Sequence, residues 1–164
     1  EVLPLHTFGQ RTHQATFLSR SRSQAVEIEQ FFNRTKGRRG SFYMPTWEPD
    51  ILPAADLSQL NRFMTVEGDD LARYYGSSSV FRHMFIRFHD GSFMIRPVVA
   101  ISEQSGNSII DVGTEWPRDI SLSEILMICW LPRWRFSSDI LSIEWLTDEV
   151  AQFQLTMQTL EDAQ

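Results

Sequence analysis

Polar and apolar side chains alternate over residues 12–17: Thr12, Gln14 and Thr16 fall on one side, His13, Ala15 and Phe17 on the other, the two-residue period of a half-buried strand. The period then changes. Ala25, Ile28 and Phe32 share a helical stripe at i, i+3 and i+7. Ser21 and Gln24 have capping-box spacing, and Ser23 offers a competing N-cap, so a short amphipathic helix is predicted after Ser21. Gly37 ends it, because glycine enters the left-handed conformation cheaply, and Arg34 and Lys36 stand where the helix dipole favours cations. Phe42, Tyr43 and Met44 suit a strand that Pro45, lacking an N–H, terminates.

Downstream, residues 62–66 read as a short strand and residues 69–75 as one or two helical turns ending at Gly76. Residues 80–89 alternate, Asp90-Gly91 has the composition of a two-residue type I′ turn, and residues 92–101 return. Pairing about that turn sets Phe88 opposite Phe93 and Ile86 opposite Ile95 on one face, with His89 opposite Ser92 and Arg87 opposite Met94 on the other. Such pairs contribute roughly 0.2–1 kcal/mol each, and a one-residue slip would move every apolar side chain to the other face. Pro97 predicts an edge or a bulge, and residues 105–108 a second turn leading into a brief strand through Ile109 and Ile110. Residues 125–130 are apolar on both faces, as in a central strand or one covered by a neighbouring subunit. Leu141, Ile143 and Trp145 alternate with polar residues, as do Ala151, Phe153, Leu155 and Met157, which predicts antiparallel strands with one wet face. About eight strands and one helix give a β-rich α+β fold, an antiparallel sandwich or split barrel flanked by one short helix. The chain reads as a single domain over 1–164, with a subdomain boundary within 48–59.

Two separated segments resemble a known family. The first is a strand and short helix followed by Gly37-Arg38-Arg39-Gly40-Ser41-Phe42-Tyr43-Met44-Pro45-Thr46-Trp47 and then Asp50-Ile51-Leu52-Pro53-Ala54-Ala55-Asp56. The second is Trp130-Leu131-Pro132-Arg133-Trp134-Arg135-Phe136-Ser137-Ser138-Asp139 with the strands after it. Together they cover about half the chain and resemble the tail-tip proteins of tailed bacteriophages, the distal tail or baseplate components. The matching positions are packing, turn and aromatic residues. The resemblance implies a structural virion protein, a ring subunit in six or three copies joining the tail tube to the tip complex, assembled in the host cytoplasm with other tail proteins. It brings no catalytic residue with it.

Composition is compatible with that reading. The chain has 164 residues, 42% of them hydrophobic, and can bury one good core or two small ones. No stretch has the ~20 apolar residues of a membrane span, and residues 1–4 lack the start of a signal peptide, so a soluble protein is expected. The missing initiating Met suggests trimming or an upstream segment. Charge is uneven: residues 1–47 carry +4, residues 48–96 carry −2 and residues 97–164 carry −8. A positive front and negative rear would let copies dock head to tail. Fourteen of fifteen basic residues are arginine, a bias that bidentate contacts or a GC-rich genome would each produce. A nucleic-acid partner is not expected, because a pI near 5.2 is opposite to a broad phosphate-binding footprint.

Reactive constellations are missing from the sequence. His83 and His89, six residues apart on one strand, would stand ~20 Å from each other and could not share a metal. Gly76-Ser77-Ser78-Ser79 lacks the Gly-x-Ser-x-Gly pattern of a nucleophile elbow, and Cys129 among apolar neighbours reads as a buried core residue. No catalytic, metal or cofactor site is expected, and the chain is not read as an enzyme. Trp47 and Trp145 lie in strand contexts that predict burial, whereas Trp134, between two arginines after Pro132, reads as an exposed loop contact. The candidate subunit contacts are Arg38, Arg39, Trp47, Arg133, Trp134 and Arg135. Exposed indoles would also suit a module that binds host-surface carbohydrate, the alternative function.

Overall fold

The computed structural model describes residues 11–161. In chain order the elements are β1 (Thr12–Ser19), α1 (Arg22–Arg34), β2 (Phe42–Tyr43), β3 (Phe63–Val66), α2 (Asp70–Tyr75), β4 (His83–Phe88) and β5 (Phe93–Pro97). There follow β6 (Ala100–Gln104), β7 (Asn107–Asp111), β8 (Ile125–Trp130), β9 (Arg133–Phe136), β10 (Ser142–Trp145) and β11 (Ala151–Leu160). The fold is the β-rich α+β class that the periodicities predict, with three antiparallel sheets, no closed barrel and one long helix, consistent with a sandwich. Contacts group the described residues into two units, residues 11–43 with 133–161, and residues 44–132, so the chain changes unit at Tyr43–Met44 and at Pro132–Arg133. The reading of residues 1–4 lies outside the described residues. Among those described, no helix is long and apolar enough to cross a membrane.

In the first unit β11 is the spine. β1 pairs along one edge from Thr12↔Gln158 to Ser19↔Ala151, while β10 and β9 share the other edge and β2 extends β9. The alternation in β11 sends Ala151, Phe153, Leu155, Met157 and Thr159 inward and the glutamines Gln152, Gln154 and Gln158 to the opposite face. Helix α1 covers the inner face. Ser21 is its N-cap, accepting from the N–H of Gln24, and Ala25 and Ile28 pack on Ala151, Phe153 and Leu141. Phe31 and Phe32 meet Phe42 and Phe136 at ring centroids 4.8–6.1 Å apart, an aromatic cluster in tilted and edge-on geometry. The helix ends through two left-handed residues, Lys36 (φ 55) and Gly37 (φ 54), where glycine alone was expected, and passes into a 3-10 turn over Gly37–Arg39.

The second unit holds the sheets β3-β7-β6 and β5-β4-β8. Its core includes Ile51, Met64, Met84, Ile86, Ile110, Trp116, Ile120, Ile128 and Trp130, each at most 2% exposed. The β4–β5 hairpin exists, but its register differs by one residue from the expected one: Arg87 faces Phe93, Ile86 faces Met94 and Phe85 faces Ile95. The cause is the turn. Asp90 is not at positive φ, so type I′ is excluded; Gly91 alone is left-handed (φ 86), and the Asp90 carboxylate accepts from the N–H and hydroxyl of Ser92. The result is a three-residue loop, closed by Phe88 N–H donating to the Ser92 carbonyl. Type I′ geometry occurs instead at Ser105-Gly106 (φ 53 and 81), between Gln104 and Asn107. The returning strand also stops at Pro97, so residues 100–104 join a different sheet from residues 93–97. β8 is an outer strand of its sheet, buried over Ile128–Trp130 and exposed at Leu126, and its free edge is covered by residues 44–51, which donate from Thr46 to the Trp130 carbonyl and from Ile51 to that of Ile128.

Candidate functional site

Three of the six contact candidates converge in the first unit. In Arg133-Trp134-Arg135-Phe136 the strand period turns Trp134 and Phe136 inward and the two arginines outward. The expectation of an exposed loop tryptophan is therefore corrected: Trp134 lies in β9, 4% exposed, paired with Phe42 and Thr159 and edge-on to His13 at 6.1 Å. A ladder partner on each side, Phe42 and the fully buried Thr159, explains the burial. Arg135 lies opposite Gln158 in the ladder, and the Gln158 amide oxygen accepts from its Nε and Nη2.

The 3-10 turn brings the other two arginines to the same place. Gly37 has no side chain because Asp139 occupies that space: a Cβ there would lie 2.6 Å from Asp139 Oδ1 and 3.0 Å from its Cα. Asp139 accepts from the Arg38 backbone N–H at 2.8 Å and from Arg38 Nε at 3.0 Å. The backbone N–H of Arg38, and then its guanidinium, hold the Asp139 carboxyl below the usual carboxylate range. Arg38, Arg39, Arg135, Ser137, Asp139 and Gln158 line a cleft of about 520 Å³. Arg39 makes no ion pair among the described residues, and Arg135 meets only a neutral amide, so three cations share one carboxylate.

The chemistry of that set is recognition. Guanidinium groups stay protonated at any working pH and donate in a planar fork, so the arginines of the cleft can hold a carboxylate or phosphate. Arg133, on the same face, donates from Nε to Ser41 Oγ at 2.8 Å and is opposite Tyr43, which is half-exposed. Asp139 and Gln158, which organise the arginines, are not among the contact candidates; Asp139 enters only as the last residue of the second resembling segment, and Gln158 only as a polar position of β11. Outward alternation along β11 was a usable signal for Gln158; none marked Asp139 as the partner of Gly37.

The remaining candidate is in the second unit. Trp47 is corrected from a buried strand residue: it stands at φ 59 outside any strand and is 53% exposed, because the neighbouring backbone is held to β8 while its indole lies edge-on to Phe85 at 5.6 Å. Phe85 stacks in turn on Phe93 at 5.3 Å, and Phe93 and Ile95 remain exposed, giving a short aromatic row. Trp145 is likewise half-exposed on β10, with the Arg22 guanidinium 5.9 Å from its ring centroid. Cys129 is buried, and burial pushes its thiol pKa up, away from the reactive thiolate. Among the described residues, no three His, Cys, Asp or Glu side chains are grouped to hold a metal ion. Comparison with protein-family profiles finds none that matches this chain, and comparison with curated protein sequences finds no match.

Proposed function

We propose that this chain is a structural component of a bacteriophage tail tip, a ring subunit in six or three copies that joins the tail tube to the tip complex, assembled in the host cytoplasm with other tail proteins. One observation carries the reading beyond the sequence resemblance. The two resembling segments lie about a hundred residues apart, yet they form one paired module: Phe42 faces Trp134, Tyr43 faces Arg133, and Gly37-Arg38 clasps Asp139. Their shared spelling therefore follows a shared structural requirement, which supports reading them as one motif. The outward faces of that module are charged and aromatic, the composition of surfaces that anchor protein contacts. Mass spectrometry of particles purified from the encoding phage tests the proposal: the chain should be a stoichiometric virion component, and its consistent exclusion from infectious particles refutes it.

A second reading, a module binding host-surface carbohydrate, draws on the exposed Trp47 and Phe93, which flank the buried Phe85, since indole and phenyl faces stack on sugar rings. Saturable binding of cell-wall glycans in isothermal titration, lost on Trp47→Ala, would favour it over the ring.

A further inference from the structure

In the first unit, the tip of the β10–β11 hairpin is as exposed as the arginine cleft and opposite to it in charge. Residues 142–149 are all exposed, with Trp145 at 51% and Leu146 at 50%. The turn is internally tied: the Thr147 hydroxyl accepts from the N–H groups of Glu149 and Val150, and Leu146 N–H donates to the Val150 carbonyl at 2.9 Å. Glu144, Asp148 and Glu149 thus project from a built turn without an ion pair among the described residues, and they outnumber the one cation there, Arg22, which donates from Nε to the Asp148 carbonyl at 2.7 Å and lies over the half-exposed Trp145 ring.

Cleft and tip mark opposite ends of one strand. Gln158 lines the cleft, and β11 begins at Ala151, directly after the tip. Seven residues at ~3.4 Å place them about 24 Å apart, beyond the reach of any side chain. The tip therefore cannot fill its own cleft. A surplus of cations at one end of a sheet and a surplus of carboxylates at the other is the arrangement that a heterologous, head-to-tail contact needs.

We propose that the hairpin tip of one copy docks in the arginine cleft of the next, with Asp148 and Glu149 meeting Arg39 and Arg135, and Trp145 lying against the half-exposed Tyr43. The occupant is a second copy of this chain, an assignment that rests on the ring reading above. Repeated round the assembly, the contact closes a ring.

Sedimentation velocity of the full chain at low salt tests it with two reversals. Arg39→Glu/Arg135→Glu inverts the cleft, and Asp148→Arg/Glu149→Arg inverts the tip. The wild-type chain should self-associate, more weakly as salt rises. Each variant alone should associate at least tenfold more weakly, the loss of a single close charge pair being enough for about that factor. An equal mixture of the two should recover association, since each tip then faces a cleft of opposite sign. Near-UV circular dichroism checks that both remain folded. A wild-type chain that is monomeric throughout its soluble range, variants that associate normally, or a mixture that does not recover would each overturn the contact. Polyphosphate binding that is lost on cleft reversal, with no self-association, would identify a soluble polyanion as the occupant and overturn it equally. The tail-tip reading is decided separately, by the presence or exclusion of the chain in particles.

Discussion

Gly37→Ala separates two contributions that the structure superimposes at one residue. At φ 54 any residue with a Cβ is strained, by roughly 1–2 kcal/mol. The new methyl would also lie 2.6 Å from Asp139 Oδ1, 3.0 Å from Asp139 Cα and 3.4 Å from the Ser138 carbonyl. The carboxylate can swing away, but the Cα cannot move without shifting the chain that follows β9, and overpacking of this kind typically costs about 1–3 kcal/mol. The total is about 2–5 kcal/mol. Gly91→Ala is the matched control, because Gly91 is also left-handed (φ 86) and a Cβ there would have nothing within 4 Å. It should show the conformational cost alone. Urea denaturation followed by near-UV circular dichroism reads both, and for a chain of this size each kcal/mol moves Tm by about 2–4 °C. Gly37→Ala/Asp139→Ala should recover part of the difference, since it removes Oδ1 but not Cα. If Gly37→Ala costs no more than Gly91→Ala, the clasp between the 3-10 turn and Asp139 does not exist as described, and the argument that the two motif segments form one module fails with it.

Two further predictions follow from the same unit. Trp134→Ala removes an indole that is 4% exposed and should destabilise the protein by about 3–5 kcal/mol, whereas Trp145→Ala, at a half-exposed site, should stay within about 0.5 kcal/mol and act on association instead; equal urea midpoints for the two would refute the assignment of inside and outside. The Asp139 carboxyl has a lowered folded-state pKa, so its stabilising effect is complete above the unfolded carboxylate range near pH 4 and is lost as pH falls through the folded value; Asp139→Asn should flatten the acid limb of the urea midpoint plotted against pH, and an unchanged limb would show that Arg38 does not hold this charge.

Local signals reached only as far as local causes. The strand over residues 12–17, the helix capped at Ser21 and the alternation in β11 were legible because period and cap chemistry are carried by neighbouring residues. The hairpin register was not, since Asp90-Gly91 satisfies either a two-residue type I′ turn or a three-residue loop, and the choice depends on the sign of one φ angle at Asp90. Trp134 was misplaced for a different reason: Pro132 and the flanking arginines suggested a loop, although Arg-Trp-Arg-Phe has the period of a strand with an apolar inner face. Of the cleft, Arg38, Arg39 and Arg135 could be chosen by residue type. Their convergence could not, because it depends on Asp139 filling the space that Gly37 leaves, a contact between residues about a hundred positions apart. Exposure at Trp47 and Trp145 was hidden similarly, since an isolated stretch of sequence does not show whether a neighbouring element covers it.

The claim that this protein works by assembly at a tail tip is tested most directly by cryo-electron microscopy of phage particles carrying a gold-labelled tag on this chain. The account predicts label confined to the end of the tail, in a ring of six or three copies, with the hairpin of each subunit against the arginine cleft of the next. Label along the tail or on the capsid, or particles that remain infectious without the chain, would contradict it.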